Sequence, residues 1–412
     1  MQTNLADFIK NTPEGREADA ILRKCVHCGF CTATCPTFQL LGDELDSPRG
    51  RIYLIKQVLE GEVASSKTLL HLDRCLTCRS CETTCPSGVQ YGRLLDIGRA
   101  VVETRVERGT ADSLTRLALK AALPRPWVFG PALKLGQAFR PVLPATLAAK
   151  VPAASPGRGW PRPRHNRRML ALAGCVQPSM APDINAAAAR VLDRLGITLV
   201  EAPKAGCCGA VRFHLNDQDG GRRDARALID AWWPAVEQGV EAIVMTASGC
   251  GVFVREYDHL LAGDPKYAEK ARRIAALTRD LSEVVAAEKE ALAELLRKAA
   301  PARPARVAYH PPCTLQHGQK VRGVAEDLLR AAGFELTAVA DSHLCCGSAG
   351  TYSILQPELA GQLRDNKLAA LSAGMPQIVA TANIGCLAHL QAGTALPVRH
   401  WIELIDRRFE GA

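Results

Sequence analysis

The chain has 412 residues, 47% of them hydrophobic and 23% charged, with a formal net charge of +9. That balance excludes a disordered or fibrous chain and leaves room for two or three domains with cores of their own. Sixteen cysteines are too dilute for a small disulfide-stapled secreted scaffold. The opening stretch "MQTNLADFIKNTPEGREADA" shows neither the basic start nor the apolar centre of a signal peptide. No run approaches the roughly 18 apolar residues of a membrane span. The expectation is a cytoplasmic protein with reduced thiols, which hold metal in preference to pairing.

The first predicted region, residues 1–105, carries the most specific motif. "CVHCGFCTATCP" is C-x2-C-x2-C-x3-C-P with Cys25, Cys28, Cys31 and Cys35, and "CLTCRSCETTCP" repeats it with Cys75, Cys78, Cys81 and Cys85. Thiolates at this spacing on a tight turn hold three corners of a [4Fe–4S] cube, and the fourth comes from elsewhere. A pair of four-cysteine zinc sites is the competing reading, disfavoured by two complete copies that each close in Cys-Pro. The motifs resemble those of two-cluster ferredoxins, in which the fourth cysteine serves the other cluster. That resemblance implies one [4Fe–4S] cluster on Cys25, Cys28, Cys31 and Cys85, and a second on Cys75, Cys78, Cys81 and Cys35. Between the motifs "RIYLIKQVLEG" reads as an amphipathic helix, as in helical ferredoxin domains.

Residues 106–165 read as a basic, proline-rich strap of short broken helices followed by a linker. From Ser113 to Pro182 there are eleven Lys or Arg and no Asp or Glu. That segment carries +11, which leaves −2 for everything else. Trp127, Phe129, Phe139 and Trp160 interleave with the charges, which suits either a membrane surface or a docking face for a partner subunit. Nucleic acid is the least favoured partner, and none is expected.

Beyond residue 165 the chain repeats itself, with one copy at 166–298 and another at 299–412. "RMLALAGC" and "ARVAYHPPC" are apolar runs ending at Cys175 and Cys313. Each leads to a helical pattern ("DINAAAARVLDRLG", "QKVRGVAEDLLRAAG") closed by Gly196 or Gly333. A second strand precedes a Cys-Cys-Gly, at Cys207 and Cys208 or at Cys345 and Cys346. A further helix and strand lead to Cys250 or Cys386. Strands alternating with helices at this spacing predict parallel α/β units. The fold class expected overall is α+β, a helical double-[4Fe–4S] ferredoxin domain followed by a duplicated α/β cysteine-rich domain.

Vicinal cysteines bridge each other poorly but suit a polynuclear cluster, each thiolate taking a different iron. A glycine beside them permits an unusual backbone angle. Cys175, Cys207, Cys208 and Cys250, with Cys313, Cys345, Cys346 and Cys386, are thus candidate ligands of a further iron–sulfur cluster. The alternative is eight inert core cysteines. His214, His310, His317, His343 and His389 flank these positions and are open between ligand, proton carrier, quinone contact and ordinary histidine.

The two cysteine sets together resemble the iron–sulfur subunits of flavin-dependent 2-hydroxyacid oxidoreductase complexes, bacterial glycolate oxidase among them. The resemblance is carried by "GCVQPSMAPDINAAAARVLDRLG", "GCCGAVRFHLN", "TASGCGVFVREY", "DSHLCCGSAGTY" and "TANIGC". It implies an electron-transfer subunit that serves FAD-binding partners oxidising glycolate to glyoxylate and passes electrons toward the quinone pool at the cytoplasmic face of the inner membrane. It gives this chain no FAD of its own and no catalytic contact with the 2-hydroxyacid, and the chain has no GxGxxG fingerprint. Subunits of D-lactate or glycerol-3-phosphate dehydrogenases, and a disulfide or quinone reductase built on the cysteine-rich domain, remain alternatives. Related heterodisulfide reductases end the motif in CxxC, giving five thiolates; here Phe253 and His389 stand where that last cysteine would be.

Overall fold

A computed structural model describes residues 1–142, 144, 151–154, 157–299 and 305–410. Lys150 of the basic segment and part of the expected linker lie outside the described residues. The chain forms two compact units. The first joins Met1–Leu117 to the later segment His343–Lys367, and the second holds the rest.

The first unit is helical. Its main helices are Pro13–Lys24, Pro48–Leu59, Ser66–Asp73 and Tyr91–Glu103. Capping sets where they begin: the Thr12 and Ser47 hydroxyls accept from the Gly15 and Gly50 amides, each with proline in the first turn. Ser65 and Thr68 form a reciprocal capping box. The expected helix between the motifs is Pro48–Leu59. Ile21, Leu22, Ile55, Leu59, Leu72, Leu94 and Leu95 are fully buried between these helices. A Cβ on Gly98 would come within 2.6 Å of Ile55, so glycine lets Tyr91–Glu103 press close against Pro48–Leu59. That contact fixes the helices that follow the two cysteine loops.

In the second unit, β1 (Arg167–Ala171), β2 (Ile197–Glu201), β3 (Ile243–Met245) and β4 (Thr278–Asp280) form a parallel sheet ordered β2-β1-β3-β4. Its register pairs Arg167 with Ile197 and Ile243 with Thr278. The other copy has β5 (Arg306–His310), β6 (Glu335–Leu336), β7 (Ile378–Thr381) and β8 (Val398–His400), ordered β6-β5-β7-β8 and again parallel. The matching orders express the duplication. β4 (Thr-Arg-Asp) and β8 (Val-Arg-His) were not expected, because neither presents an apolar run such as the Ile-Val-Met of β3. Gly196 and Gly333 close their helices at φ +79° and +87°. The helix expected from Gln319 begins only at Val324, since Gly323 sits at φ +74°.

One apolar core, with Val191, Leu192, Val244, Val307, Leu329, Ala380 and Trp401 fully or nearly fully buried, runs through both sheets. At the seam, Ser248 Oγ lies 2.8 Å from Thr314 Oγ1, and the Gly249 amide donates to Asn383 Oδ1 at 3.3 Å. The two cysteine-bearing turns, at Ser248–Val254 and Ile384–Gln391, thus begin side by side.

Parts of the basic segment are tied down. Arg116 is buried and pairs with Asp73 at 3.0 Å. Arg158 pairs with Asp406 at 2.6 Å, Arg164 with Asp193 at 2.6 Å, and Arg167 with Glu241 at 2.9 Å. The helix Pro126–Phe139 carries an internal Pro131 and exposes Trp127, Leu135 and Phe139, while Phe129 is half-buried.

Candidate metal centres

Each C-x2-C-x2-C loop bends through two left-handed residues at equivalent places. These are His27 and Gly29 (φ 60° and 86°) in the first loop, and Thr77 and Arg79 (φ 51° and 59°) in the second. Such angles cost non-glycine residues of order 1–3 kcal/mol and persist where the surroundings impose them. Here they bring three thiols of each loop around a common space, with Cys28 left exposed and Cys31 and Cys75 partly so.

The result is two cavities. One is lined by Cys25, Cys28, Cys31 and Cys85 together with Cys81, and spans about 430 Å³ out to its open mouth. The other is lined by Cys35, Cys75, Cys78 and Cys81 and spans about 300 Å³. Each gathers three thiols of one loop and the Cys-Pro thiol of the other.

The donor chemistry suits a multiply charged cationic group. Burial, reinforced by Cys25 and Cys35, pushes the Cys31 thiol up to about 11. Burial likewise drives Cys81 well above the ordinary thiol range, with Cys78 and Cys75 adding to it. Without positive charge between them these thiols keep their protons, and iron supplies that charge. Tyr91 lines both cavities and is 4% exposed. Its hydroxyl has no oxygen or nitrogen partner and faces the Cys75 thiol. An orphaned buried donor aimed at the thiols fits a thiolate-bound cluster as its acceptor.

The cavities differ in surroundings. The first opens between exposed Val26 and Phe30, beside an Arg49–Glu44 ion pair. The second is backed by Arg51, 1% exposed, whose guanidinium donates to the His71 carbonyl at 2.7 Å, Thr37 Oγ1 at 3.1 Å and Asp46 Oδ1 at 3.1 Å. Arg99 donates to the Cys75 carbonyl at 2.9 Å.

In the first cysteine-rich copy all four candidate thiols meet. Cys175 follows β1, and Cys250 sits in the turn after β3. Cys207 hydrogen-bonds Cys175 and Cys208, and Cys208 in turn reaches Cys250. Hydrogen bonds from Cys175 and Cys208, then the Gly209 amide and Arg212, hold Cys207 well below the usual thiol range. Cys175 and Cys208 are pushed up in return. Gly209 is left-handed at φ +95°, and a Cβ there would strike the Gly221 carbonyl. The Tyr257 hydroxyl donates to the Cys208 carbonyl at 2.6 Å. Burial and then the Cys207 charge raise Asp224 to about 6, against the pull of Arg212 at 3.2 Å. Phe253 is buried against Phe213, His214 and Tyr257, so an aromatic cluster stands where a fifth thiolate would be.

The second copy repeats the local geometry. Gly347 is at φ +88° and its amide lies 3.4 Å from Cys345 Sγ, matching the 3.4 Å from the Gly209 amide to Cys207 Sγ. Cys345 and Cys346 are buried on the His343–Lys367 segment, which packs in the first unit, a placement the linear order of the repeat did not announce. Cys313 and Cys386 are buried at the ends of β5 and β7, and Asn383 Nδ2 lies 3.5 Å from Cys386 Sγ. His310 and His317 are buried, whereas His214, His343 and His389 are half-buried. Arg51, Asp46 and Tyr91 were not singled out by sequence. Arg51 heads the apolar stretch "RIYLIKQVLEG", where a charged residue gives no signal of burial.

Comparison with known proteins agrees with this layout. A 4Fe-4S dicluster domain model matches residues 21–89, and a cysteine-rich domain model matches residues 169–255 and 307–391. The glycolate oxidase iron–sulfur subunit of Escherichia coli (strain K12) is 55% identical over 412 residues, 100% of both chains. The chain belongs to the glycolate oxidase iron–sulfur subunit family. A probable member from Bacillus subtilis (strain 168) is 31% identical, covering 93% of this chain and 92% of its own. Lactate utilization protein A of Bacillus velezensis is 30% identical over 52% of this chain and 87% of its own. Family membership accounts for both cysteine sets at once, the dicluster loops and the paired cysteine-rich copies. Among the described residues no helix is long and apolar enough to cross a membrane.

Proposed function

We propose that this chain is the electron-transfer subunit of a flavin-dependent glycolate dehydrogenase complex. In it, Cys25, Cys28, Cys31 and Cys85 hold one [4Fe–4S] cluster and Cys75, Cys78, Cys81 and Cys35 the other. The observation that carries this is the pair of cavities, each lined by three thiols of one loop and the Cys-Pro thiol of the other. Bound there, each cluster takes up and releases one electron at a time. The protein's part is to set spacing, exposure and charge. The left-handed loop residues aim the thiols, Pro36 and Pro86 start the segments that carry the crossed ligands away, and Tyr91 supplies a hydrogen bond between the sites.

The 2-hydroxyacid is oxidised on FAD-binding partner subunits, and electrons pass through this chain toward membrane quinone. We assign residues 1–105 to the ferredoxin domain, 106–165 to the strap, and 166–298 and 299–412 to the two cysteine-rich copies. The four adjoining thiols of the first copy, joined in one hydrogen-bonded group through Cys207 and Cys208, support a further cluster there. The exposed Trp127, Leu135 and Phe139 beside Lys134 support contact of the strap with an anionic inner-membrane surface on the cytoplasmic side. D-lactate is the second substrate reading, favoured by the match to lactate utilization protein A.

Anaerobic purification with iron and sulfide counting tests the assignment. About eight irons correspond to two cubane clusters and about twelve add one on the cysteine-rich copies. Zinc without acid-labile sulfide would overturn the redox reading. Co-purification of flavin subunits with glycolate-dependent reduction of the clusters identifies the complex.

A further inference from the structure

The two cavities of the first unit present their clusters with different fields. Behind the cavity of Cys35, Cys75, Cys78 and Cys81, two guanidinium groups share one carboxylate. Asp46, 0% exposed, takes Arg51 at 3.1 Å on one oxygen and Arg74 at 2.9 Å on the other. The His71 ring stands 3.2 Å from the same carboxylate. The Asp43 carboxylate also comes within 4.8 Å of Asp46 and His71, but Asp43 is exposed and screened by water. Among the buried groups Arg51 faces a carboxylate it must share, and the geometry points its guanidinium at the cavity. Arg51 is part of the cavity wall, and its Nη1 lies 4.0 Å from Cys35 Sγ. At the other cavity Arg49 faces Glu44 one to one, with side chains 34% and 47% exposed, so that pair leaves no net charge and is screened by water.

We propose that Arg51 raises the reduction potential of the cluster at the buried cavity above that of the cluster at the exposed cavity, making the buried site the electron sink of the pair. The proposal rests on the two-cluster reading above. Reducing a cluster adds one negative charge, which burial alone disfavours and a buried cation against the thiolates favours. One electron leaves the exposed cluster and one arrives at the buried cluster, with no proton required. The order also suits onward transfer. Tyr352 is 6% exposed, and Cys75, Arg51, Asp46 and Cys345 are among the charges acting on it. The sink thus lies on the side of the unit that carries the vicinal pair Cys345–Cys346.

Redox titration of the holoprotein followed by EPR tests this. The wild type must show two midpoints, and the higher must belong to the cluster better shielded from an aqueous paramagnetic relaxant such as a dysprosium chelate. In Arg51→Met with undiminished iron and sulfide, the higher midpoint must fall by at least the equivalent of tenfold, 59 mV for one electron, while the lower stays put. Arg51→Lys must retain most of the difference. Asp46→Asn, which frees the Arg51 charge, must move the same midpoint upward. A relaxant-accessible high-potential cluster, equal shifts of both midpoints, no shift in Arg51→Met, a fall as large in Arg51→Lys as in Arg51→Met, or a downward shift in Asp46→Asn overturns the proposal. If Arg51→Met loses iron, Asp46→Asn and the wild-type relaxant experiment decide. A wild type with fewer than two reducible cubane clusters defeats the two-cluster reading itself, a different result from any of these.

Discussion

Cys35 and Cys85 test the crossed arrangement most directly, because each sits in one loop and lines the cavity of the other. Cys35→Ser is expected to remove the EPR signal of the buried cluster and leave the exposed one, and Cys85→Ser the reverse. Loss of the cluster nearer in sequence in each variant would show uncrossed ligation. The glycines beside the vicinal pairs make a second residue-level case. Gly209→Ala meets both the left-handed backbone penalty of about 1–2 kcal/mol and a collision with the Gly221 carbonyl. Gly239→Ala has a similar φ of +85° but open space around it, so it pays the backbone term alone. Thermal unfolding should show Gly209→Ala as clearly the more damaging, with iron at the first cysteine-rich copy lost along with it.

At the level of elements, the junction of β8 and the helix Trp401–Arg407 is held by His400. Its Nδ1 accepts from the Ile402 amide and its Nε2 donates to the Thr246 carbonyl at 2.9 Å, which ties β8 to the end of β3. Burial lowers this imidazole from 6.5 to about 4, opposed only in part by the Thr246 carbonyl. The unfolded chain therefore binds a proton that the folded chain refuses between those values. The stability His400 contributes is full above about pH 6.5 and is lost as pH falls toward 4. Compared by urea unfolding, the advantage of the wild type over His400→Gln should shrink by about 2 kcal/mol between pH 7 and pH 5. An advantage that grows on acidification would reverse the sign assigned here. β4 and β8 illustrate why sequence missed some elements. Their residues, Thr-Arg-Asp and Val-Arg-His, offer no apolar run to read, and pairing with β3 and β7 creates them.

Over the whole molecule, the basic strap separates into charges used internally and charges left at the surface. Arg116, Arg158, Arg164 and Arg167 are paired within the chain. The helix Pro126–Phe139 keeps Lys134 beside an exposed apolar face. Full-length protein is expected to sediment with phosphatidylserine-containing vesicles at low salt and less so above physiological salt. Combined Trp127→Ser and Phe139→Ser should abolish sedimentation while leaving cluster content unchanged. Retention of binding in that variant would move the contact off this helix.

The two C-x2-C-x2-C-x3-C-P loops were legible from sequence because the spacing is local and fixes which thiols one loop can aim together. The doubled Cys-Cys-Gly and the capping glycines at 196 and 333 were legible for the same reason, since each needs only its neighbours. Three things needed the tertiary structure. Helix packing at Gly98 and Ile55 fixes the helices that follow the loops. Folding carried the Cys345–Cys346 segment into the first unit. Arg51 came to stand buried in the cavity wall, sharing the Asp46 carboxylate with Arg74, only through packing. Which thiols one loop can offer is a property of short covalent spacing. The field each cluster feels depends on burial and on which distant charges come to share it, and only the packed chain sets those.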